Sequence, residues 1–174
     1  MLSSDPRPAV PAFDADLLAF ARGHSEAASS IHDAVLAALP AETPGEFAAI
    51  VTRDWPWLLA VDQVVFGWAR HGRAIVAAGG AQRSIEAKLI ARMADRPEEV
   101  SLRTVDRGHP LFGAQAGAIR SEALICLSAP GGSGLLVLGD RGAIAEETLT
   151  ATRLLRFLGR AASAMLARWP LLEA

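Results

Sequence analysis

A chain of 174 residues, 51% apolar and 21% charged, suits one folded domain with a buried core and sets aside a disordered protein. Its net charge is -2, and its 17 Lys and Arg residues form no long block, which argues against a nucleic-acid surface. A single cysteine excludes an internal disulfide and a thiolate cluster, and no run approaches the roughly 18 to 20 apolar residues of a membrane span.

The N-terminus, MLSSDPRPAVPAFDAD, carries acids and three prolines before any apolar stretch, unlike a secretory signal. A soluble, cytoplasmic protein is expected, with residues 1–13 as a flexible tail and 14–170 as one domain. From Asp14 to Leu39 the pattern is helical. Leu17, Ala21, His24, Ala28, Ile31, Val35 and Ala38 recur at spacings of three and four and share one stripe. Thr43-Pro44-Gly45-Glu46 reads as a capping box, with proline at the first helical position. The helix it opens runs to about Arg53, presents Phe47, Ile50 and Val51, and ends at Trp55-Pro56-Trp57.

Leu58 to Ala69 is the first expected strand, with Val64, Phe66 and Trp68 on one face by period two. A polar connection, Arg70 to Arg73, leads to a partner strand over Ala74 to Ala77. A helix is expected from about Ser84 to Ala94, with Ile85, Leu89 and Met93 on one side. Val100 to Val105 is a short strand and His109 to Gly117 a loop. Strands follow at Glu122 to Leu127 and Leu135 to Leu138, and a last helix runs from near Glu146 to about Arg168. Glu146 and Glu147 suit its positive N-terminal end. The connection between the last two strands is too short for a crossover helix, so that pair is antiparallel. The result is an α+β domain with helices packed on a sheet.

Val100 to Gly142, VSLRTVDRGHPLFGAQAGAIRSEALICLSAPGGSGLLVLGDRG, together with the terminal helix, resembles the DUF484 family, whose fold is similar to GAF domains. The elements that carry the resemblance are the Leu-Arg strand, LFG, RSEAL and GLLVLG, with IHDAVLAAL matching more loosely upstream; it spans about residues 14 to 168. Family members usually follow GLLVLG with a serine, a basic residue and an aspartate. This chain departs from that pattern with Gly139-Asp140-Arg141-Gly142. The resemblance implies an antiparallel sheet of about six strands, terminal helices packed together on one side, and a ligand pocket on the other. It carries over no catalytic residue and no cofactor.

Each candidate residue has a structural and a chemical reading. Cys126 alternates with Leu124 and Ser128 and reads as a small core residue, lacking both a nearby base and a second cysteine. Gly131, Gly132 and Gly134 read as a turn, because a phosphate loop would add Gly-Lys-Ser/Thr and lead into a helix. His24, His32, His71 and His109 show no metal-ligand spacing, so no metal is expected. His24 on the stripe suggests a packed or interfacial side chain. Arg103, Arg120, Ser121 and Glu122 could recognise a small polar ligand through fixed donors, with His109 at the pocket mouth and Phe66 and Trp68 lining the cavity. Alternatively, an Arg-Glu pair closes the sheet edge and positions Leu111-Phe112-Gly113.

Three functions stay open at this point. The first is a non-enzymatic regulatory or scaffold domain that homodimerises through its terminal helices and works with a separate protein partner. The second is a small-molecule sensor, and the third a cysteine-dependent redox enzyme.

Overall fold

The computed structural model describes residues 12–143 and 149–169. The tail expected at the N-terminus lies outside the described residues except at its last positions, and so do Glu146 and Glu147.

The first helix, α1 (Ala12–Ala38), buries the C-terminal end of the expected stripe. Ile31, Ala34 and Ala38 are in the core, whereas Ala21 through Ala27, His24 included, are exposed. The second, α2 (Pro44–Arg53), is capped by Thr43, whose hydroxyl accepts the Glu46 N–H at 3.1 Å. The Glu46 carboxylate reaches back to the N–H of Glu42 at 2.8 Å, one residue before the cap itself. Thr52 joins this helix to the sheet: its hydroxyl donates to the Ala48 carbonyl and accepts the N–H of Gly80.

Where a strand was expected from Leu58, the chain first makes one more helical turn, α3 (Trp55–Leu58), and β1 (Gln63–Arg70) begins only afterwards. Pro56 interrupts α2 but is tolerated in the first turn of a new helix, where no N–H partner is needed. Trp55 fixes that turn. Its ring is buried and its Nε1–H donates to the Ala34 carbonyl at 2.9 Å.

Two tight hairpins follow. His71 and Gly72 (φ 48° and 77°) link β1 to β2 (Arg73–Ala78), and Gly79 and Gly80 (φ 56° and 83°) link β2 to β3 (Ala81–Glu86). Positive φ at both central residues matches the twist of paired strands. Strand β3 corrects the helix expected from Ser84, because α4 spans only Ala87–Ala94. Ile85 is therefore a strand residue, and the buried contact of α4 is Ile90, while Leu89 is exposed.

Strand β4 (Val100–Thr104) precedes 3-10 turns at Pro110–Ala118, where a loop was expected. The remaining elements are β5 (Ser121–Ala129), β6 (Gly132–Asp140) and α5 (Leu149–Leu166). All pairings are antiparallel, in the order β3-β2-β1-β6-β5-β4.

Side chains alternate across this sheet into two cores. Val64, Phe66, Trp68, Ile125 and Leu136 pack under α1, α2 and α5, against Phe47, Val51 and Leu158. Val65, Leu124, Leu135 and Val137 pack on the opposite side, against Ile90 of α4 and Phe112 and Ile119 around the 3-10 turns.

The register places Gly134 opposite Trp68, and a Cβ at that position would collide with the Gly67 carbonyl oxygen and the Trp68 ring. Gly134→Ala is expected to lower stability by about 2 kcal/mol, an overpacking cost. Gly117→Ala, which meets open space, should stay within about 0.5 kcal/mol of the parent. Urea-unfolding midpoints of the two variants check the contrast.

Candidate functional site

The polar residues singled out in the sequence gather around one buried carboxylate. Glu122 on β5 is 1% exposed and sits opposite Arg103 on β4. Its Oε1 accepts both Nε and Nη2 of Arg103, at 2.8 and 2.5 Å, and its Oε2 accepts the backbone N–H of His109 at 2.6 Å. A carboxylate this deeply buried is stable only with its lone pairs occupied, and here three donors occupy them.

His109 then caps the 3-10 turns, with Nδ1 accepting the Leu111 N–H at 3.2 Å. Arg120 closes the far end of the same segment by donating from Nη1 to the carbonyls of Asp106, Gly117 and Ile119. The group thus holds down Phe112, whose ring lies over Gly139, where a Cβ would approach it to 2.5 Å.

The structure does not bring all seven sequence candidates together. Arg103, His109, Arg120 and Glu122 converge on the 3-10 segment. Phe66 and Trp68 belong to the core under α1, α2 and α5, on the other face of the sheet. They cannot line one cavity with Arg103, which corrects that expectation; Phe66 stacks edge-on against Phe47 at 5.5 Å instead. Ser121 makes a different contact. Its hydroxyl donates to the Gly142 carbonyl at 2.6 Å, and together with Glu122 it borders a cavity of about 310 Å³ lined by Val61, Leu102, Ala123, Leu138 and Leu155. That cavity lies on the terminal-helix side. The face where the resemblance implied a pocket is filled by Ile90, Phe112 and Ile119.

Cys126 is half-buried, with its Sγ 3.5 Å from the Glu98 carbonyl. Burial pushes its thiol pKa up, against a smaller opposing pull from Arg96, which favours the unreactive thiol. Burial likewise pushes the His109 imidazole down; Glu122 pulls it up, and Arg103 and Arg96 push it down further. Among the described residues no group of three or more His, Cys, Asp or Glu could hold a metal ion.

One residue read from the sequence as part of a polar turn is structural. Arg70 is 7% exposed and donates to the carbonyls of Trp169 and Pro130. Nothing in its local pattern marks it, because both acceptors come from distant parts of the chain.

No known protein family matches the chain, and no curated protein does. Its fold matches solved structures. The chromophore-binding domain of a Stigmatella aurantiaca bacteriophytochrome, a mutant in the Pr state, is 17% identical with a TM-score of 0.57. That match covers 95% of this chain and 64% of the other, so this chain spans under two thirds of that domain. The phycoerythrobilin-bound GAF domain of a cyanobacterial phytochrome aligns over 83% of this chain and 96% of that one, at 10% identity and a TM-score of 0.55. Free methionine-R-sulfoxide reductase from Neisseria meningitidis, in complex with its substrate, aligns over 79% and 87%, at 13% identity and 0.53. The protein therefore has a GAF-like domain fold.

The lowered His109 pKa has a consequence for stability. Folding favours the neutral ring, so the stability this residue contributes is complete above its ordinary value of 6.5 and is lost as pH falls through the lowered folded value. His109→Asn keeps a side-chain acceptor for the Leu111 N–H and removes the titration. Its urea midpoint should fall less steeply than that of the parent below about pH 6.5. Parallel curves for the two proteins would show that His109 does not drive the acid limb.

Proposed function

We propose that this chain is a non-enzymatic GAF-like regulatory or scaffold module, of the DUF484 type, that homodimerises through its terminal helices. The observation that carries this reading is the apolar strip along the outer surface of α1 and α5. His32 and Phe157 meet edge to face at 5.9 Å across the two helices. Phe157 is 47% exposed, and Leu36, one turn beyond His32, is 61% exposed. Large apolar side chains left in water on the outer face of a helix pair are what a helix-mediated partner covers.

Two further features support this reading over its rivals. The sheet face under α4 is occupied by the protein's own side chains, which disfavours a sensor pocket there. The raised thiol pKa of Cys126 disfavours a cysteine-dependent redox reaction. Signal output then passes through a separate protein partner that recognises the dimer.

Native mass by light scattering tests the reading directly. The parent is expected at twice 18.3 kDa across a dilution series. Leu36→Glu combined with Phe157→Glu should give a folded monomer with unchanged far-UV circular dichroism. A parent that is monomeric at every concentration would overturn the dimer.

A further inference from the structure

The proposed dimer makes no use of the cavity beside Ser121. This space lies between the sheet and the N-terminal part of α5, with Val61, Leu102, Ala123, Leu138 and Leu155 as its apolar wall. Its volume of about 310 Å³ falls at the small end of the range for ligand pockets, roughly 300 to 1,000 Å³.

One end of the cavity is polar. It is made by Ser121 and by the turn after β6, where Asp140 and Gly142 border the space. This is the Gly139-Asp140-Arg141-Gly142 stretch at which the sequence departs from the DUF484 pattern. Hydrogen bonds hold the turn in place. The Arg141 N–H donates to Asp62 at 2.7 Å, the Asp140 carbonyl accepts the Arg120 N–H at 2.8 Å, and the Gly142 carbonyl accepts the Ser121 hydroxyl at 2.6 Å. Asp140 continues the alternation of Leu136 and Leu138, so its side chain leaves the sheet on the cavity's face. Its Oδ1 accepts the Gly142 N–H at 2.5 Å.

These groups accept and do not donate. The Ser121 proton is committed to Gly142, which leaves the lone pairs of its oxygen. The N–H groups of Arg141 and Gly142 are committed to Asp62 and Asp140. Asp140 itself forms no ion pair among the described residues. The arginines of the bordering elements turn elsewhere: Arg141 to Asp62 at 3.9 Å, Arg156 of α5 to Glu99 at 3.2 Å, and Arg103 of β4 to Glu122. Arg153, two residues from Leu155, projects from the opposite side of α5. A carboxylate without a cation at the edge of an apolar cavity selects a ligand with a positively charged, donating head and a small apolar body.

We propose that this cavity binds a small primary amine, its ammonium on Asp140 and Ser121 and its hydrocarbon part against Leu102, Leu138 and Leu155. The site lies on the opposite face of the sheet from α4 and does not depend on the homodimer. Its occupant touches the C-terminal helix directly, through Leu155.

Titration with benzylamine, with benzyl alcohol as a neutral counterpart of the same shape, tests the proposal through backbone amide chemical shifts. At neutral pH benzylamine should shift the amides of Ser121, Ala123, Gly139 and Gly142 saturably. Benzyl alcohol should bind at least about tenfold more weakly, because it lacks the charge-assisted hydrogen bond. Asp140→Asn keeps an oxygen for the Gly142 N–H. It should lower benzylamine to the level of the alcohol and leave the alcohol unchanged. Leu155→Trp fills the space from the half-buried side of the helix and should weaken both probes, with far-UV circular dichroism checking the fold. Benzylamine shifts that do not saturate, or equal affinity of the parent for amine and alcohol, would overturn the proposal. So would saturable shifts confined to Leu124 and Cys126, on the other face of the sheet.

Discussion

The fold depends on burying β1 and β6, the two central strands, on both faces. Every residue from Val64 to Arg70 and from Gly134 to Gly139 is shielded from solvent. A sheet with two apolar faces needs a layer on each side, and the chain meets that need asymmetrically. The terminal helices and α2 cover one face, while the short α4 and the 3-10 segment cover the other. So short a layer seals a sheet only if it approaches closely. Gly67 and Gly139 provide that approach, lying where a Cβ would strike Ile90 or Phe112.

This economy accounts for the hydrogen bonds that the polar cluster at Glu122 makes to the 3-10 segment. The Pro110–Ala118 segment contributes few apolar contacts beyond Phe112, Ala116 and Leu111, so it is held by hydrogen bonds at its two ends. Glu122 with His109 secures the start, and Arg120 secures the finish. The buried carboxylate is costly to desolvate, and the Arg103 guanidinium offsets that cost. With both faces of the sheet covered, large apolar side chains remain in water on α1 and α5, and also at Trp57 and Leu89.

How far this was legible in the sequence depends on how many faces each element buries. Strands β1, β5 and β6 alternate between two cores, and α2 has a complete capping signal, so all four stand out. Strand β3 is an edge strand exposed along nearly its whole length, so AQRSIE carries no period-two apolar pattern. Ile85, Leu89 and Met93 then mimic a helix. The legible clue was Gly79-Gly80, a hairpin signal. Period two places Phe66 and Trp68 on one face, yet it cannot say which layer covers that face, and so the two aromatics were grouped with Arg103. The Arg103–Glu122 pairing was readable as one of two alternatives because both residues introduce or occupy neighbouring strands. Arg70 was not, since its acceptors lie 60 and 99 residues away.

The same long-range contacts make the two ends of the helix pair unequal. At the C-terminal end of α5, the Trp169 carbonyl accepts from Arg70 and its indole donates to the Glu42 carbonyl, while Arg168 lies over the Trp169 ring at 4.9 Å and caps α1. Sheet, α1 and α5 are therefore tied at one point by groups from four regions of the chain. Toward the opposite end, the described side chains of α1 from Ala21 to Ser30 are exposed or half-buried. A helix pair fixed at one end and exposed at the other has its register set by the fixed end.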